Sequence, residues 1–454
     1  MRRATFLALM AAMALPAFGC ESISGRGHGR QYGPPSPVSV RPFKFGRPDV
    51  VLLITGGTNG QMELCNCAGP MPGSLSRRGG LIRSYRAAFD HTFVLDTGDV
   101  FWILPGDVLN EFILKACREV GYDAVALGDQ EWAEPRDRLR AILEPGPMKY
   151  LSSTVAPADE AAGLPLASAV KCELGNIRLA ILSDVRKEAL MFFPDDKLRT
   201  LRFAATADLA RQAAELKGQG FVVIAVSHGD QKSAETTAET IPADLVIRGH
   251  TRQTELKLLI AAGKPMVKVG GWEYVGVVGL KVADGRITDI EYRAELVEDR
   301  WPADTRVLQI YQAYARAYMR KVLDGPRKKG LDYALATECA KCHADQYKNW
   351  HGTRHAGAYG TIERAKRTGD PNCLMCHTTG FNTEKGFITI QKTPQMAGVQ
   401  CQECHRFNMA EHRQKGFVPP KINDDLCTTC HTPITDPNFN FKSRLAKVRC
   451  PASD

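Results

Sequence analysis

Between residues 49 and 298, short unbroken apolar runs alternate with stretches of helical spacing. Val50–Ile54, Thr92–Asp96, Ala124–Leu127, Leu179–Leu182, Phe221–Val226 and Asp244–Ile247 are brief and aliphatic, as strands buried on both faces are. Leu109–Val120 and Thr206–Leu216 repeat apolar positions three and four apart and predict helices. This alternation predicts an α/β layered domain. Asp99, Asp129, His228 and His250 cluster just after four of the strands, where open α/β sheets form their sites. Residues 299–335 read as a connector. Val307, Ile310, Tyr311, Tyr314, Tyr318 and Val322 have helical spacing, and Asp324-Gly-Pro-Arg-Lys-Lys-Gly330 breaks it. The tyrosines are expected to pack rather than to relay electrons. Residues 336–454 show weak periodicity and predict a mainly α and irregular domain with little conventional core.

The N-terminus has a different pattern. Arg2 and Arg3, the apolar run Phe6–Leu15 and the small residues Ala17 and Gly19 before Cys20 read as an export signal over residues 1–20. The run is too short to span a bilayer as a mature helix. A Cys directly after the signal resembles the lipobox of bacterial lipoproteins, although Ala17 stands where Leu is usual. That resemblance implies lipidation at Cys20 and a membrane tether; ordinary cleavage with a free product is the alternative. Both place the protein on the periplasmic or extracellular side. Residues 21–48 are rich in Gly, Pro, Ser and Arg and are expected to form a flexible spacer.

Four Cys-x-x-Cys-His motifs change the picture of the C-terminal stretch. They are Cys339-Ala-Lys-Cys342-His343, Cys373-Leu-Met-Cys376-His377, Cys401-Gln-Glu-Cys404-His405 and Cys427-Thr-Thr-Cys430-His431. With 14 Cys and 11 His in the chain, chance supplies roughly 0.01 such motifs. Each reads as a c-type haem site, in which two thiols form thioethers and the following His becomes the proximal iron ligand. Zinc knuckles draw on paired Cys-x-x-Cys units without a His after every pair. Four haems supply the missing apolar bulk. Their propionates nearly cancel the formal charge of +9, and the Lys and Arg are scattered, so nucleic acid is not an expected partner.

Residues 49–298 resemble the calcineurin-type metallophosphoesterases, and the 5′-nucleotidase branch especially. The residues that carry this are Thr55-Gly-Gly-Thr-Asn-Gly-Gln-Met-Glu63, Asp96-Thr-Gly-Asp99, Gly128-Asp-Gln-Glu131, Ser227-His-Gly229 and Gly249-His-Thr-Arg252. The resemblance implies a two-metal centre that clamps a phosphoryl group and makes a hydroxide nucleophile. The chain departs from it at the first metal. Gly57 and Asn59 stand where the family has Asp and His, and Arg252 stands where its last His would be; a guanidinium there would fill the space. The second metal's ligands match at Asp99, Asp129, His228 and His250, and Gln130 replaces the acid-like His. Two readings stay open: a single Zn, Mn or Fe ion at those four residues, or a retired scaffold held by hydrogen bonds. Either way phosphoesterase activity is expected to be lost.

Cys65 and Cys67 follow the first strand in a Gly- and Pro-rich loop. A disulfide between them would be strained. They are either a redox pair or metal ligands, or loop thiols bonded to Cys117 or Cys172; those two are expected in the core, in a helix and a strand.

Residues 336–454 resemble the tetrahaem cytochromes c of the cytochrome c-554-like family. The first motif is followed by Trp350-His-Gly-Thr-Arg-His-Ala356. The second lies in Asn372-Cys-Leu-Met-Cys-His-Thr-Thr-Gly-Phe381 and the third in Gly398-Val-Gln-Cys-Gln-Glu-Cys-His405. With His343, His377, His405 and His431 as proximal ligands, only His351, His355 and His412 remain here for distal roles. The resemblance implies His355 and His412; His351 is extra and reads as a surface helix residue. Relatives commonly end in a further ligating His, where this chain has Cys450. If Cys450 does not ligate, at least one haem is five-coordinate or uses Met396 or Met409.

The expected function is electron relay outside the cytoplasm to redox partner proteins, with the first domain as docking surface or sensor. The alternative is an enzyme, either a single-metal hydrolase or a redox catalyst at an open haem acting on a small nitrogen or sulfur compound.

Overall fold

The computed structural model describes residues 36–64, 71–103, 108–159, 163–250, 256–432 and 435–451. The signal segment, Cys20, Cys65, Cys67 and Arg252 lie outside the described residues. All that follows belongs to one compact unit.

The strands are β1 (Val50–Thr55), β2 (Thr92–Asp96), β3 (Ala124–Ala126), β4 (Lys149–Leu151), β5 (Val155–Pro157), β6 (Leu166–Ala167), β7 (Val170–Leu174), β8 (Ile177–Val185), β9 (Leu201–Phe203), β10 (Val222–His228), β11 (Leu245–Gly249), β12 (Leu258–Ala261), β13 (Lys264–Lys268), β14 (Tyr274–Ala283) and β15 (Arg286–Leu296). They form a seven-stranded sheet, β15-β14-β1-β2-β3-β4-β6, and a six-stranded sheet, β12-β13-β11-β10-β8-β7, while β5 and β9 make a small pair. The helices of this region are α1 (Leu75–Ala88), α2 (Val108–Val120), α3 (Asp129–Ala133), α4 (Arg136–Ile142), α5 (Asp195–Leu198), α6 (Thr206–Gly218) and α7 (Gln231–Thr240).

The period-2 alternation of strand side chains builds the layers. Val50, Leu52 and Ile54 of β1 meet Val222, Ile224 and Val226 of β10 in a core between the two sheets. Val51 and Leu53 point the other way, into a core with α1 and α2. Val223 and Ala225 face α6. Strands covered on both faces are apolar throughout, which is why they stand out in the sequence.

The connector helix α8 (Thr305–Asp324) belongs to the same packing, with Val307, Tyr311 and Tyr314 buried against α1 and α2. Its N-cap Asp304 accepts from the Arg306 amide and is ion-paired with Arg83 of α1. The approach is close: a side chain at Gly80 would put its Cβ 2.0 Å from the Pro302 carbonyl oxygen. Residues 38–45, expected in the spacer, pack on the fold. Phe43 is buried, Val38, Val40 and Phe45 pack on the core, and Arg293 lies over the Phe43 ring at 4.3 Å. Apolar residues spaced through 38–45 find a greasy surface to cover, and that outweighs the Gly/Pro-rich composition.

Past α8 the chain forms only short helices: α9 (Ala336–Cys339), α10 (Ala344–His351), α11 (Ala358–Arg364), α12 (Pro371–His377), α13 (Cys401–Cys404), α14 (Met409–His412), α15 (Asp424–Thr428) and α16 (Phe441–Val448). None is long enough to persist alone. The core here is small: Tyr359, Ile362, Cys373, Leu374, Phe387 and Met396. Among the described residues no helix is long and apolar enough to cross a membrane.

A polar cluster joins this region to the rest. The Tyr311 hydroxyl donates to Asp370 at 2.9 Å, Asp370 accepts from Arg367 at 2.6 Å, and Arg367 reaches the Leu64 carbonyl at 3.4 Å. Next to Leu64, Glu63 accepts from the Ser76 amide. Burial pushes the Glu63 carboxyl up to about 7, against the pull of Ser76, Arg367 and Arg77. A raised carboxyl favours folding while protonated. Its contribution is complete below about 4.5 and is lost as pH rises to about 7. Glu63→Gln is therefore expected to stabilise the chain at pH 8 by roughly 1–3 kcal/mol and to be neutral near pH 4.5. Thermal unfolding at the two pH values checks this; an equal shift at both would refute it.

Candidate functional site

Asp99, Asp129, His228 and His250 converge at the carboxyl ends of the strands. Asp99 lies three residues past β2, Asp129 opens α3, His228 closes β10 and His250 follows β11. One ligand atom from each lies within 4.8 Å of the others. His228 Nε2 is 2.9 Å from Asp129 Oδ1 and 3.4 Å from Asp99 Oδ1. His250 Nδ1 is 2.8 Å from Asp99 Oδ2 and 3.3 Å from Asp129 Oδ1. Asp99 and His250 both hold a left-handed backbone, with φ of 60° and 49°. That conformation is strained for such residues and concentrates at functional sites.

The surroundings fix this geometry. His228 Nδ1 sits 3.1 Å from the Thr97 carbonyl, which only accepts, so Nδ1 carries the proton and the Nε2 lone pair faces the carboxylates. A lone pair aimed at carboxylate oxygens requires a proton or a cation between them. Without a metal it takes a proton: burial pulls His228 down, but Asp99 and Asp129 outweigh it and hold the ring well above its usual range. Hydrogen bonds to Asp129 and Asp99 likewise raise His250 to about 9. Buried Asp99 Oδ1 has no hydrogen-bond partner. An orphan carboxylate oxygen beside two imidazoles and a second carboxylate fits a divalent metal of the Zn, Mn or Fe kind.

Glu131, which the motif analysis left without a role, braces the cluster. Its carboxylate accepts from the backbone amides of Asp99, Val100, Phe101 and Gly128 at 2.8–3.0 Å. Its place at the third position of α3, after Gly128, was the available signal, since Glu there commonly turns back to the helix start. Burial, then Asp99, raises Glu131 to about 7, against those amides.

The first-metal half of the site holds amides. Gln130 Nε2 donates to Asn59 Oδ1 at 2.6 Å, and Asn59 Nδ2 donates to the Gly57 carbonyl at 2.8 Å. A buried guanidinium does lie against this loop, but it is that of Arg78, which bonds Thr58, Tyr122 and the Trp272 carbonyl. Cys117 and Cys172 are free, in α2 and β7.

At the four Cys-x-x-Cys-His motifs the backbone makes one recurring turn. The amides of His343, His405 and His431 each donate to the carbonyl of the first Cys of their motif at 2.9 Å, and the second motif lies wholly within α12. The thiols of Cys339 and Cys401 are hydrogen-bond neighbours, as are those of Cys376 and Cys430. The first motif thus adjoins the third, and the second adjoins the fourth. His377 Nδ1 lies 2.8 Å from the Ala358 carbonyl and 2.9 Å from Thr361, and His431 Nδ1 lies 3.0 Å from Asp436. Such contacts leave Nε2 free to ligate.

Two imidazole pairs face one another. The rings of His343 and His412 are 5.8 Å apart, centre to centre, and those of His355 and His431 are 6.2 Å apart. His412 stacks on Phe407 and His431 on Phe439, each at 4.9 Å. Burial, and His431 opposite, hold His355 below its usual range. His351 is exposed and lines a cavity of about 430 Å³ with Ala336, Trp350 and Gln400. Cys450 lies in electrostatic reach of Cys401 and Cys404. Its neighbours are held by α10: Asn349 donates to the Arg449 carbonyl at 3.1 Å and Gln346 to that of Pro451 at 3.3 Å. Met396 is buried beside Cys373, and Met409 opens α14.

Residues 338–406, which hold the first three motifs, match the family described as cytochrome c554 and c-prime. This region is a cytochrome c554 domain. Cytochrome c-554 of Nitrosomonas europaea is 30% identical over 97 residues, which cover 17% of this chain and 41% of that protein. The cytochrome c554 domain implies c-type haems. The N-terminal part has the metallophosphoesterase and 5′-nucleotidase fold. It is similar to Thermus thermophilus sulfate thiohydrolase SoxB in complex with glycerol (TM-score 0.54, 17% identity, 66% of this chain and 64% of that one). It is also similar to Haemophilus influenzae NAD nucleotidase (TM-score 0.52, 15% identity, 62% and 63%) and to a 5′-nucleotidase precursor from Thermus thermophilus (0.50, 18%, 77% and 73%).

Proposed function

We propose that this chain is an exported tetrahaem cytochrome that relays electrons, built onto a phosphoesterase-type domain that keeps one metal and binds without hydrolysing. The observation that carries the relay is the pair of facing imidazoles. A metal–imidazole nitrogen bond is about 2 Å long, so two rings on opposite sides of one metal have centres about 6 Å apart. The separations of 5.8 and 6.2 Å match that arrangement. In this reading His343 and His412 ligate the haem on Cys339 and Cys342, and His431 and His355 ligate the haem on Cys427 and Cys430. Two protein ligands make an electron-transferring iron. Domain limits at 49–298, 299–335 and 336–454, a signal at 1–20 and lipidation of Cys20 complete it: a tethered protein on the periplasmic or extracellular side, where c-type haem is attached.

His377 and His405 face no imidazole in this way among the described residues, so their haems are irregular. Cys450 lies by the motif of His405 and is the candidate sixth ligand there; Met396 lies by the motif of His377. This favours, as a second reading, redox catalysis on a small nitrogen or sulfur compound at one of these haems. In the first domain Asp99, Asp129, His228 and His250 would hold one Zn, Mn or Fe ion, which supplies Lewis acidity when bound. Gly57, Asn59 and the Gln130 amide leave no ligand set for a second ion, which removes half of the phosphoryl clamp.

Electron paramagnetic resonance of the oxidised protein tests the haem assignment. Two bis-imidazole low-spin signals are expected, with a thiolate-type or high-spin signal beside them; four bis-imidazole signals would overturn it. Robust hydrolysis of nucleotides or phosphodiesters with added manganese would overturn the reading of the first domain.

A further inference from the structure

The amides that replace the first metal leave one atom pointing nowhere. The Gly57 carbonyl only accepts, so the nitrogen of the Asn59 side chain must face it. Asn59 Oδ1 is thereby turned to Gln130, and the nitrogen of Gln130 must meet it. The chain of donors and acceptors fixes both amide orientations, and Gln130 Oε1 is left over. That oxygen is buried, in a residue only 8% exposed, and has no partner. A buried acceptor left unmade costs more than a made bond gains. Gln130 adjoins the ligand Asp129 in the chain, and the Asn59 amide donates to the Asp99 carbonyl at 2.8 Å, so this amide pair sits at the metal cluster itself. The other orphan acceptor of the cluster, Asp99 Oδ1, calls for the cation. Gln130 Oε1 calls for a donor.

We infer that Gln130 Oε1 accepts a hydrogen bond from the ligand at the metal's open position, so that the centre selects neutral ligands carrying an N–H or O–H over oxyanions. This rests on the single-metal reading. Charge supports it: the carboxylates of Asp99 and Asp129 cancel a divalent ion. A bare phosphoryl group would find no donor in Gln130 Oε1, which can only accept.

Imidazole and 1-methylimidazole test it. Both bind a metal through the same nitrogen, and only imidazole retains a donor. Calorimetric titrations use the full haem-loaded chain with and without zinc, and the zinc-free titration subtracts binding to haem. On the zinc-loaded protein imidazole is expected to bind about three- to tenfold tighter than 1-methylimidazole, and tighter than inorganic phosphate. Gln130→Leu removes the preference without weakening 1-methylimidazole. Stoichiometric zinc with equal affinities, a preference that survives Gln130→Leu, or tighter phosphate binding would each overturn the role of Gln130 alone. Failure to take up zinc would overturn the single-metal reading and the inference with it.

Discussion

Replacing His412 with Ala is expected to turn about one quarter of the haem high-spin and able to bind carbon monoxide, and replacing His355 is expected to do the same to a different haem. Each loss opens one side of one iron. His343 keeps its place because its amide is bonded to Cys339, and His431 because its ring lies on Phe439 and its Nδ1 on Asp436. The double variant should convert about half of the haem. His351→Ala serves as the control: this exposed side chain faces no proximal imidazole, and the spectrum should not change. Optical spectra of the reduced proteins with and without carbon monoxide check all four. Unchanged spectra for His412→Ala or His355→Ala would refute the assignment of the pair concerned.

The two converted haems should differ in potential. His431 is bonded through Nδ1 to the Asp436 carboxylate, which raises the basicity of the ligating nitrogen and favours the oxidised iron. His343 lies edge-on to His412, which itself sits between Phe407 and Phe417. The haem of the fourth motif is therefore the more reducing of the two, other factors being equal.

What the sequence revealed and what it hid have the same physical cause. The buried strands were legible because cover on both faces demands uninterrupted aliphatics; Val50–Ile54 and Phe221–Val226 both lie within two residues of the observed strands. The antiparallel pair β14 and β15 was not, since its outer strand alternates polar and apolar residues and glycines interrupt the inner one. Helix α1 was hidden too, because it buries Ser76, Arg78, Gly79 and Gly80 among Leu75, Leu81, Ile82 and Tyr85, which interrupts the apolar stripe. The four residues of the candidate metal cluster stood out by motif, and counting left His351, His355 and His412 as candidates to face the proximal imidazoles. The hydrogen bond between the Gln130 and Asn59 side-chain amides joins residues 71 positions apart, and no local pattern encodes it. Arg78, which no motif singled out, reaches the Gly57–Asn59 loop from α1 and bonds Thr58, while Arg252 lies outside the described residues.

The sharpest steric test of the metal cluster is Gly128→Ala. Gly128 has φ of −93°, a conformation that alanine adopts without strain, so backbone preference is not at issue. Space is. A Cβ there would stand 2.4 Å from His228 Cε1 and 2.6 Å from Asp99 Oδ1, where no real Cβ stands. One of the two ligands must move. His228 is pinned at Nδ1 by the Thr97 carbonyl, and the Asp99 carboxylate at Oδ2 by His250, so neither can shift without breaking a hydrogen bond. Displacing groups that merely orient a ligand already weakens metal binding 10- to 100-fold or so. Displacing a ligand itself should cost about 100-fold or more. Gly146→Ala, where the new methyl group would meet nothing within 4 Å, should leave zinc affinity unchanged. Zinc calorimetry on both full-length variants is the measurement. Wild-type affinity in Gly128→Ala would mean that His228 and Asp99 do not hold a metal in the arrangement proposed, because no divalent ion could stay between them with a methyl group in that place.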